Sequence, residues 1–341
     1  MVEESSSAAP AECEWPVPWQ PVWGEADGFG SRAATWAVRA VLAVATRLPE
    51  RVLGLLLRTL AALGARCGRR RSRAAREFLR QALGELPERE RERLVRRGWL
   101  QLLRVTVDTE RLVRVPRARL RQHFEVRLSE DARRVLDERR GCVLVSGHVG
   151  NWEAAFAVLP ALGFHPAYGV AKPPKNKFLA QALQASREGW GVRVLSRKGA
   201  MADAPLILKA GGTLGLVVDQ RTSGRALLVP FFGRLARCER APAVLLKRQR
   251  VPVVLLACRM GAAPLSYELE LSEVLWPEEW ARREVEEIVL RINQGLERMI
   301  RADPDQYVWI HDRYRDTPRA LESSATARLR RGEVPGSPQA E

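Results

Sequence analysis

The chain has 341 residues, of which 46% are hydrophobic, so it is long enough for one large domain with appendages or for two domains. Its net charge of +16 is uneven, because residues 1–31 hold six acidic residues and no lysine or arginine. The basic excess downstream indicates an acidic partner: nucleic acid, an anionic membrane, an acidic protein or a phosphorylated substrate. Five cysteines and four histidines lack disulfide or metal-ligand spacing, so we expect no metal ion, no cofactor and a cytosolic-side protein.

The N-terminal part is predicted to precede the main domain. Residues 1–30 are acidic, rich in serine, alanine and proline, and hold three tryptophans, so we expect them to be mostly disordered. Residues 31–66 contain two apolar helical runs, 33–48 and 52–65, each with one interior arginine and each shorter than the roughly 20 residues that a membrane span needs. These runs fit amphipathic helices lying in one leaflet, or a soluble helical hairpin that packs on the domain.

The next segment, residues 67–119, is basic and helical in pattern, with its densest cluster at Arg69-Arg70-Arg71-Ser72-Arg73. Directly after an apolar segment, such a cluster is typical of a cytoplasmic flank that attracts anionic headgroups, although a solvated helix face explains many of these arginines equally well. Aromatic residues are not interleaved with the arginines, as they are in single-strand-binding proteins, so we expect no nucleic-acid partner.

Strands and helices alternate over residues 120–315. The predicted strands are 124–128, 142–146, 167–171, 192–195, 214–218, 227–232, 251–259 and 267–271. The predicted helices are 130–140, 151–162, 176–188, 200–210, 243–250 and 282–302. This alternation predicts an α/β fold with a mixed sheet flanked by helices, preceded by the N-terminal membrane-associated helices. Residues 316–341 are polar and are expected to form a disordered tail.

The most informative stretch follows the predicted strand 142–146. The strand ends in a glycine-containing turn, and Asn151 is a good N-cap for the next helix. His148 should therefore lie at the carboxyl end of a strand, where open α/β sheets bind ligands, with Glu153 in the first turn of the helix. The functional interpretation is a general base, His148, oriented by Glu153. The alternative is a structural histidine beside a glutamate that favours a helix N-terminus.

A second polar cluster, Asp219-Gln220, follows the strand 214–218 and should lie on the same edge of the sheet as His148. The segment Pro230–Gly233 would form an apolar wall beside that edge. Cationic and polar side chains between these clusters would line the mouth of the site: Lys172, Asn176, Arg187, Arg197 and Lys198. No serine elbow or cysteine nucleophile accompanies the histidine, so direct transfer to a hydroxyl group activated by the base fits these residues.

Five motifs in this order resemble the late acyltransferases of lipid A biosynthesis (lauroyl- and myristoyltransferases), within the lysophospholipid acyltransferase group. The motifs are His148-x4-Glu153, Lys172 with Asn176, Asp219-Gln220, Val229 to Gly233, and Tyr307 to Arg315. The chain departs from the family at Lys172, where arginine is usual, and at Cys238, where threonine is usual. Lysine is a point charge and cannot make the planar fork of arginine.

The resemblance implies an O-acyltransferase at the cytoplasmic face of the bacterial inner membrane. It would move a fatty acyl chain from a thioester donor, acyl-acyl carrier protein or acyl-CoA, to a hydroxyl of a lipid A precursor. His148 would act as the base and Glu153 as its orienter, and the basic surface would attract the acidic carrier, the phosphorylated acceptor and the anionic membrane. The alternatives are a lysophospholipid or another glycolipid as acceptor, or a basic binding protein without chemistry.

For the remaining residues the resemblance implies substrate contacts. A structural role or a surface position is the alternative for each of them. The expected substrate-binding set is Lys172, Asn176, Arg187, Arg197, Lys198, Asp219, Gln220, Phe231 and Phe232. Asp219 would hold Lys172 in place or merely cap its strand, the arginines would bind phosphate or be surface charges, and the phenylalanines would touch the acyl chain or belong to the core. Donors for the oxyanion would be backbone amides near residues 147–150 or a cation from the block 172–177.

Overall fold

The computed structural model describes residues 15–22, 24, 26–222, 224–315 and 317. Its helices are α1 Phe29–Ala45, α2 Glu50–Cys67, α3 Arg69–Leu83, α4 Glu88–Leu112, α5 Arg117–Leu120, α6 Glu130–Asp137, α7 Trp152–Val158, α8 Lys177–Gly189, α9 Ala200–Lys209, α10 Ala241–Gln249, α11 Pro277–Trp280 and α12 Val285–Ala302. Its strands are β1 Phe124–Leu128, β2 Cys142–Ser146, β3 Ala167–Ala171, β4 Val192–Ser196, β5 Thr213–Val217, β6 Leu227–Phe231, β7 Arg234–Cys238, β8 Val253–Met260 and β9 Tyr267–Leu275.

Seven of these strands form one sheet in the order β1-β9-β8-β2-β5-β3-β4. Five of them, from β8 to β4, run parallel, whereas β9 is antiparallel to β8 and β1 runs with β9. The predicted α/β fold with a mixed sheet is therefore confirmed. The strand expected at 227–232 does not join this sheet; β6 pairs with β7, which the sequence did not reveal, in a separate antiparallel hairpin.

Strands β2 and β5 lie in the middle of the sheet. All five residues of β2 are buried, as expected for a strand covered on both faces. The register pairs Ser146 with Val217, the last residues of the two strands. Because the strands run parallel, the residues two positions further along, His148 and Asp219, emerge side by side at the same edge.

The turn after β2 is held from several sides. Gly150 has φ +57°, and a Cβ atom there would lie 1.8 Å from the carbonyl oxygen of Cys258, so only glycine fits. The side chain of Gln101, from α4, donates to the Gly150 carbonyl over 2.6 Å. Asn151 caps α7 as predicted, because its side-chain oxygen accepts a hydrogen bond from the Ala154 amide over 2.9 Å.

Helices α1 and α2 pack on the rest of the molecule with one face and expose apolar side chains on another. The buried contact of α2 with α4 consists of Leu53, Leu57, Ala61, Leu100 and Val107. The exposed apolar side chains are Phe29, Trp36, Val38, Val41, Val44, Val52, Leu55, Leu56, Leu60 and Leu63. Among the residues that the structure describes, no helix combines the length and apolar character that crossing a bilayer requires.

The expectation of disorder for residues 1–30 is corrected over residues 15–22. Val17 is buried, and its amide and carbonyl groups lie within hydrogen-bonding distance of the Tyr168 hydroxyl. The ring of Trp15 packs edge-on against Tyr168, which explains why this short segment is ordered. Residues 1–14 and, apart from Thr317, the expected tail 316–341 lie outside the described residues.

An aromatic cluster joins α3 to the end of the domain. Phe78 lies at its centre, with ring centroids 5.2–6.1 Å away in five neighbours. These neighbours are Phe231, Phe232, Tyr307, Trp309 and Tyr314. The core of the α/β unit thus extends into the basic segment 67–119, whose buried face carries Phe78 and Leu79.

Replacing Phe78 with alanine is expected to lower the free energy of unfolding by about 3–5 kcal/mol, because a fully buried ring leaves a cavity that its neighbours cannot fill. Urea denaturation of the purified protein measures this loss. Phe29→Ala is the matched control, since that ring is 87% exposed and its removal should cost less than about 0.5 kcal/mol. Equal losses in the two variants would contradict the central role of Phe78.

Candidate active site

A cavity of about 820 Å³ opens at the carboxyl ends of β3 and β5 and is lined by His148. One part of its wall is apolar and comes from α7, β3, β4 and β5: Phe156, Val170, Val192, Val194, Leu214 and Leu216. Another part is cationic: Lys172, Arg187, Arg197, Arg221, Arg225, Arg240 and Arg248. The cavity therefore combines space for a hydrocarbon chain with charges that suit an anionic group.

His148 and Asp219 form a hydrogen-bonded pair at this cavity. One carboxylate oxygen of Asp219 lies 2.7 Å from Nδ1 of His148, and the other accepts from the His148 amide over 3.0 Å. Asp219 is 1% exposed and also accepts a hydrogen bond from the Tyr307 hydroxyl. Burial alone would raise the pKa of Asp219, but the attraction of His148 and the hydrogen bonds from His148 and Tyr307 lower it to about 2.

The ionised carboxylate determines the tautomer of the imidazole. Because Asp219 can only accept at neutral pH, Nδ1 of His148 carries the proton, and Nε2 of the neutral ring keeps its lone pair. The side-chain nitrogen of Gln220 lies 3.2 Å from Nε2, and the imidazole is only partly exposed, at the cavity wall. Nε2 is the ring atom that can take a proton, and a molecule bound in the cavity would have to replace Gln220 as its hydrogen-bond partner.

Glu153 has a different partner from the one expected. It lines the same cavity as His148, but its two oxygens accept hydrogen bonds from Nε and Nη2 of Arg187 over 3.0 and 2.7 Å. The expectation that Glu153 orients the imidazole is thus corrected, because Asp219 occupies Nδ1 of His148. Arg187, expected to be a phosphate contact or a surface charge, is instead held in the cavity wall by a two-point ion pair.

The other predicted polar residues divide between the cavity and the scaffold. Lys172, Arg197 and Gln220 line the cavity, whereas Lys198 is exposed and lies outside its lining. Asn176 also lies outside: its side-chain oxygen caps α8 at the Leu179 amide over 3.1 Å. Its side-chain nitrogen donates to the Ser31 carbonyl over 2.9 Å, so this residue joins two helices instead of lining the cavity.

The structure decides two of the alternatives left open by the sequence. Phe231 and Phe232 are buried among aromatic rings and do not line the cavity, so they belong to the core. Asp219 neither merely caps its strand nor holds Lys172, since its carboxylate is bound by His148 and Tyr307.

The C-terminal segment contributes residues to which the sequence analysis gave no role in the site. The Gln306 carbonyl accepts from the Gly150 amide over 2.9 Å, and the Val308 amide donates to the His148 carbonyl over 3.2 Å. This backbone pairing places Tyr307 beside Asp219. The signal in the sequence was the motif Tyr307 to Arg315, but its position in the chain gave no indication of a contact with His148.

His311 belongs to the same segment and holds a neighbouring loop. Its Nε2 accepts a hydrogen bond from the Arg221 amide over 3.0 Å. Burial lowers its pKa to about 4, so the ring is neutral at pH 7 and serves as an acceptor. Among the residues that the structure describes, no group of three or more histidine, cysteine or acidic side chains is arranged to hold a metal ion.

Comparison with known proteins agrees with the resemblance in the five motifs. A family model described as bacterial lipid A biosynthesis acyltransferase matches residues 29–316. The lipid A biosynthesis palmitoleoyltransferase of Escherichia coli (strain K12) is 23% identical over 286 residues, which cover 83% of this chain and 92% of that protein. The lipid A biosynthesis lauroyltransferase of the same organism is 26% identical over 301 residues, covering 85% and 94%. The chain therefore belongs to the bacterial lipid A biosynthesis acyltransferase family and is an O-acyltransferase.

Proposed function

We propose that this enzyme transfers a fatty acyl chain from a thioester donor to a hydroxyl group of a lipid A precursor, with His148 as the general base and Asp219 as its orienter. The observation that carries the proposal is the pair itself: Nδ1 of His148 is bound by a buried carboxylate, and His148 lines a cavity with an apolar wall. A purely binding protein needs neither a fixed tautomer nor a partly buried imidazole at such a cavity.

In the proposed step, the oxygen of the acceptor hydroxyl attacks the thioester carbonyl carbon. At the same time, Nε2 of His148 takes the proton from this hydroxyl. A carbon–oxygen bond forms and the carbon–sulfur bond breaks. The leaving thiolate then takes the proton from the imidazolium, so that the ester, the free thiol and the neutral histidine remain. Asp219 keeps the proton on Nδ1 and stabilises the imidazolium while it exists.

The negative charge on the carbonyl oxygen needs donors. The amides of His148 and Gly150, near which donors were expected, already donate to Asp219 and to Gln306. Lys172 and Arg187 are therefore the better candidates among the cavity residues. We assign Glu153 the role of holding the guanidinium group of Arg187 in position. Glu153 would thus influence the reaction through Arg187 and not through His148.

The surroundings of the cavity support the proposed partners. Exposed Arg225 and Arg248 stand with Arg240 in the cationic lining, where they suit an acidic acyl carrier protein or the phosphates of acyl-CoA as donor. The exposed apolar side chains of α1 and α2 suit binding to one leaflet. We propose that the enzyme works on the cytoplasmic face of the bacterial inner membrane.

His148→Ala is expected to lower acyl transfer by about 10²–10⁴-fold, because the base that activates the hydroxyl is lost. Purified enzyme, a labelled acyl thioester and a lipid A precursor provide the assay, with product identified by mass spectrometry. His123→Ala is the control, since that ring contacts the Leu265 carbonyl and lies outside the cavity. Full activity of His148→Ala would contradict the role of His148 as the base. Preference for a lysophospholipid acceptor would contradict the proposed lipid A precursor.

The two carboxylates are expected to behave differently in double-mutant cycles on kcat/KM. Asp219→Asn should be strongly non-additive with His148→Ala, because both changes disable the same base. Glu153→Gln should be non-additive with Arg187→Met and nearly additive with Asp219→Asn. Coupling of Glu153 to His148, with none to Arg187, would show that Glu153 serves the imidazole after all.

Leu55→Ser combined with Leu63→Ser is expected to weaken binding to phospholipid vesicles at least about tenfold, since each exposed leucine buried in lipid contributes on the order of 1.5–3 kcal/mol. Sedimentation with vesicles measures the bound fraction. Val113→Ser removes an exposed apolar side chain outside α1 and α2 and should leave binding unchanged. Unaltered binding of the double variant would reject the interfacial role of these helices.

A further inference from the structure

A second groove, of about 500 Å³, lies between α1 and α8. Its walls come from one side of each helix: Arg32, Trp36 and Arg39 from α1, and Phe178, Gln181 and Ala185 from α8. None of these residues lines the cavity of His148. The groove is therefore a separate concave site, and the proposed acyl transfer leaves it without a role.

The two helices that form the groove are fixed to each other at one end. The side chain of Asn176, at the N-terminus of α8, binds the Ser31 carbonyl and accepts from the Thr35 hydroxyl over 3.2 Å. The backbone of Ala26 pairs on both sides of Asn176, with the Lys175 carbonyl and the Lys177 amide, each over 2.9 Å. These bonds make the groove a built feature of the fold and not a gap between loosely packed helices.

The charged residues of the groove are two arginines, Arg32 and Arg39. Arg32 and Arg39 are seven residues apart, which places them within about 20° of each other around α1. The Arg32 guanidinium lies 4.9 Å from the centre of the Phe178 ring. Within the described part of the chain, neither arginine forms an ion pair. Two guanidinium groups that line one groove from the same side of a helix suit a phosphate group.

The groove also adjoins an apolar surface. Around α1, the two arginines lie between buried Thr35 on one side and Trp36, which is 75% exposed, on the other. Trp36 belongs to the exposed apolar face of α1 that also carries Phe29 and Val44. A ligand with a negative head group and a hydrocarbon chain would suit both the groove and this face.

We propose that the groove between α1 and α8 binds an anionic membrane phospholipid, with its phosphate between Arg32 and Arg39 and an acyl chain along Trp36. The lipid is a bound membrane component and neither the acyl donor nor the acceptor. The proposal rests on the proposed membrane-facing role of α1, but it adds a defined site with one ligand. Because α8 carries Arg187 near its other end, the bound lipid ties a helix of the catalytic cavity to the membrane surface.

Native mass spectrometry of the full chain tests the site, using dioleoyl-phosphatidylglycerol or dioleoyl-phosphatidylcholine in detergent. The wild-type protein should retain one phosphatidylglycerol and little phosphatidylcholine. Arg32→Gln with Arg39→Gln should reduce the retained phosphatidylglycerol at least fivefold. Arg51→Gln with Arg58→Gln is the matched control, because these exposed arginines of α2 are also seven residues apart and carry the same charge.

Ala185→Trp separates a site from general charge attraction, since it fills the groove and leaves every arginine in place. It should reduce retention as much as the double glutamine variant. Retention that survives both changes, or that falls equally in the α2 control, would overturn the proposal. Acyl transfer in detergent should stay within twofold of wild type in all three variants, so a failure here is distinct from a failure of the His148 mechanism.

Discussion

The hydrogen bond between His148 and Asp219 depends on the pairing of β2 with β5. The two residues follow their strands at the same offset, and the register that joins Ser146 to Val217 brings them together. A one-residue slip would separate the carboxylate from the ring. The close packing around β2, whose five residues are all buried, opposes such a slip, because each side chain would have to fit a space shaped for a different one. The chemistry of the site is thus secured by packing in the middle of the sheet.

Much of the fold could be predicted because it depends on local patterns. The apolar runs predicted eight of the strands to within a few residues. The capping preference of asparagine predicted that α7 begins after Asn151. The position of His148 at a strand end also followed from sequence. The partner of its imidazole did not, because that partner is set by strand order, which neighbouring residues do not encode. Glu153, five residues away, was the nearest carboxylate in the chain, whereas Asp219 is the nearest in space.

Motif order located the family but did not reveal what each motif residue does. Asn176 stands in a conspicuous polar block, yet it caps α8 and binds α1. Phe231 and Phe232 lie at the end of β6 and were expected beside the site, yet their rings pack in the aromatic cluster around Phe78. Such residues keep the site in place from a distance. Residues that line the cavity and residues that support it look alike in a sequence motif. Only their contacts in the structure distinguish them.

Helix α8 connects the proposed membrane-facing helix to the catalytic cavity. Asn176, at its start, is bonded to α1, and Arg187, near its end, is bonded to Glu153. About 17 Å of helix separates the two residues, a length over which an α-helix is stiff. An ion pair taken out of water gains little net stability, so the Glu153–Arg187 pair is better explained by the position it gives to a cation than by its contribution to folding. Any displacement of α1 at a membrane surface would therefore reach the cavity through α8 at Arg187, while His148, fixed between β2 and β5, would stay in place.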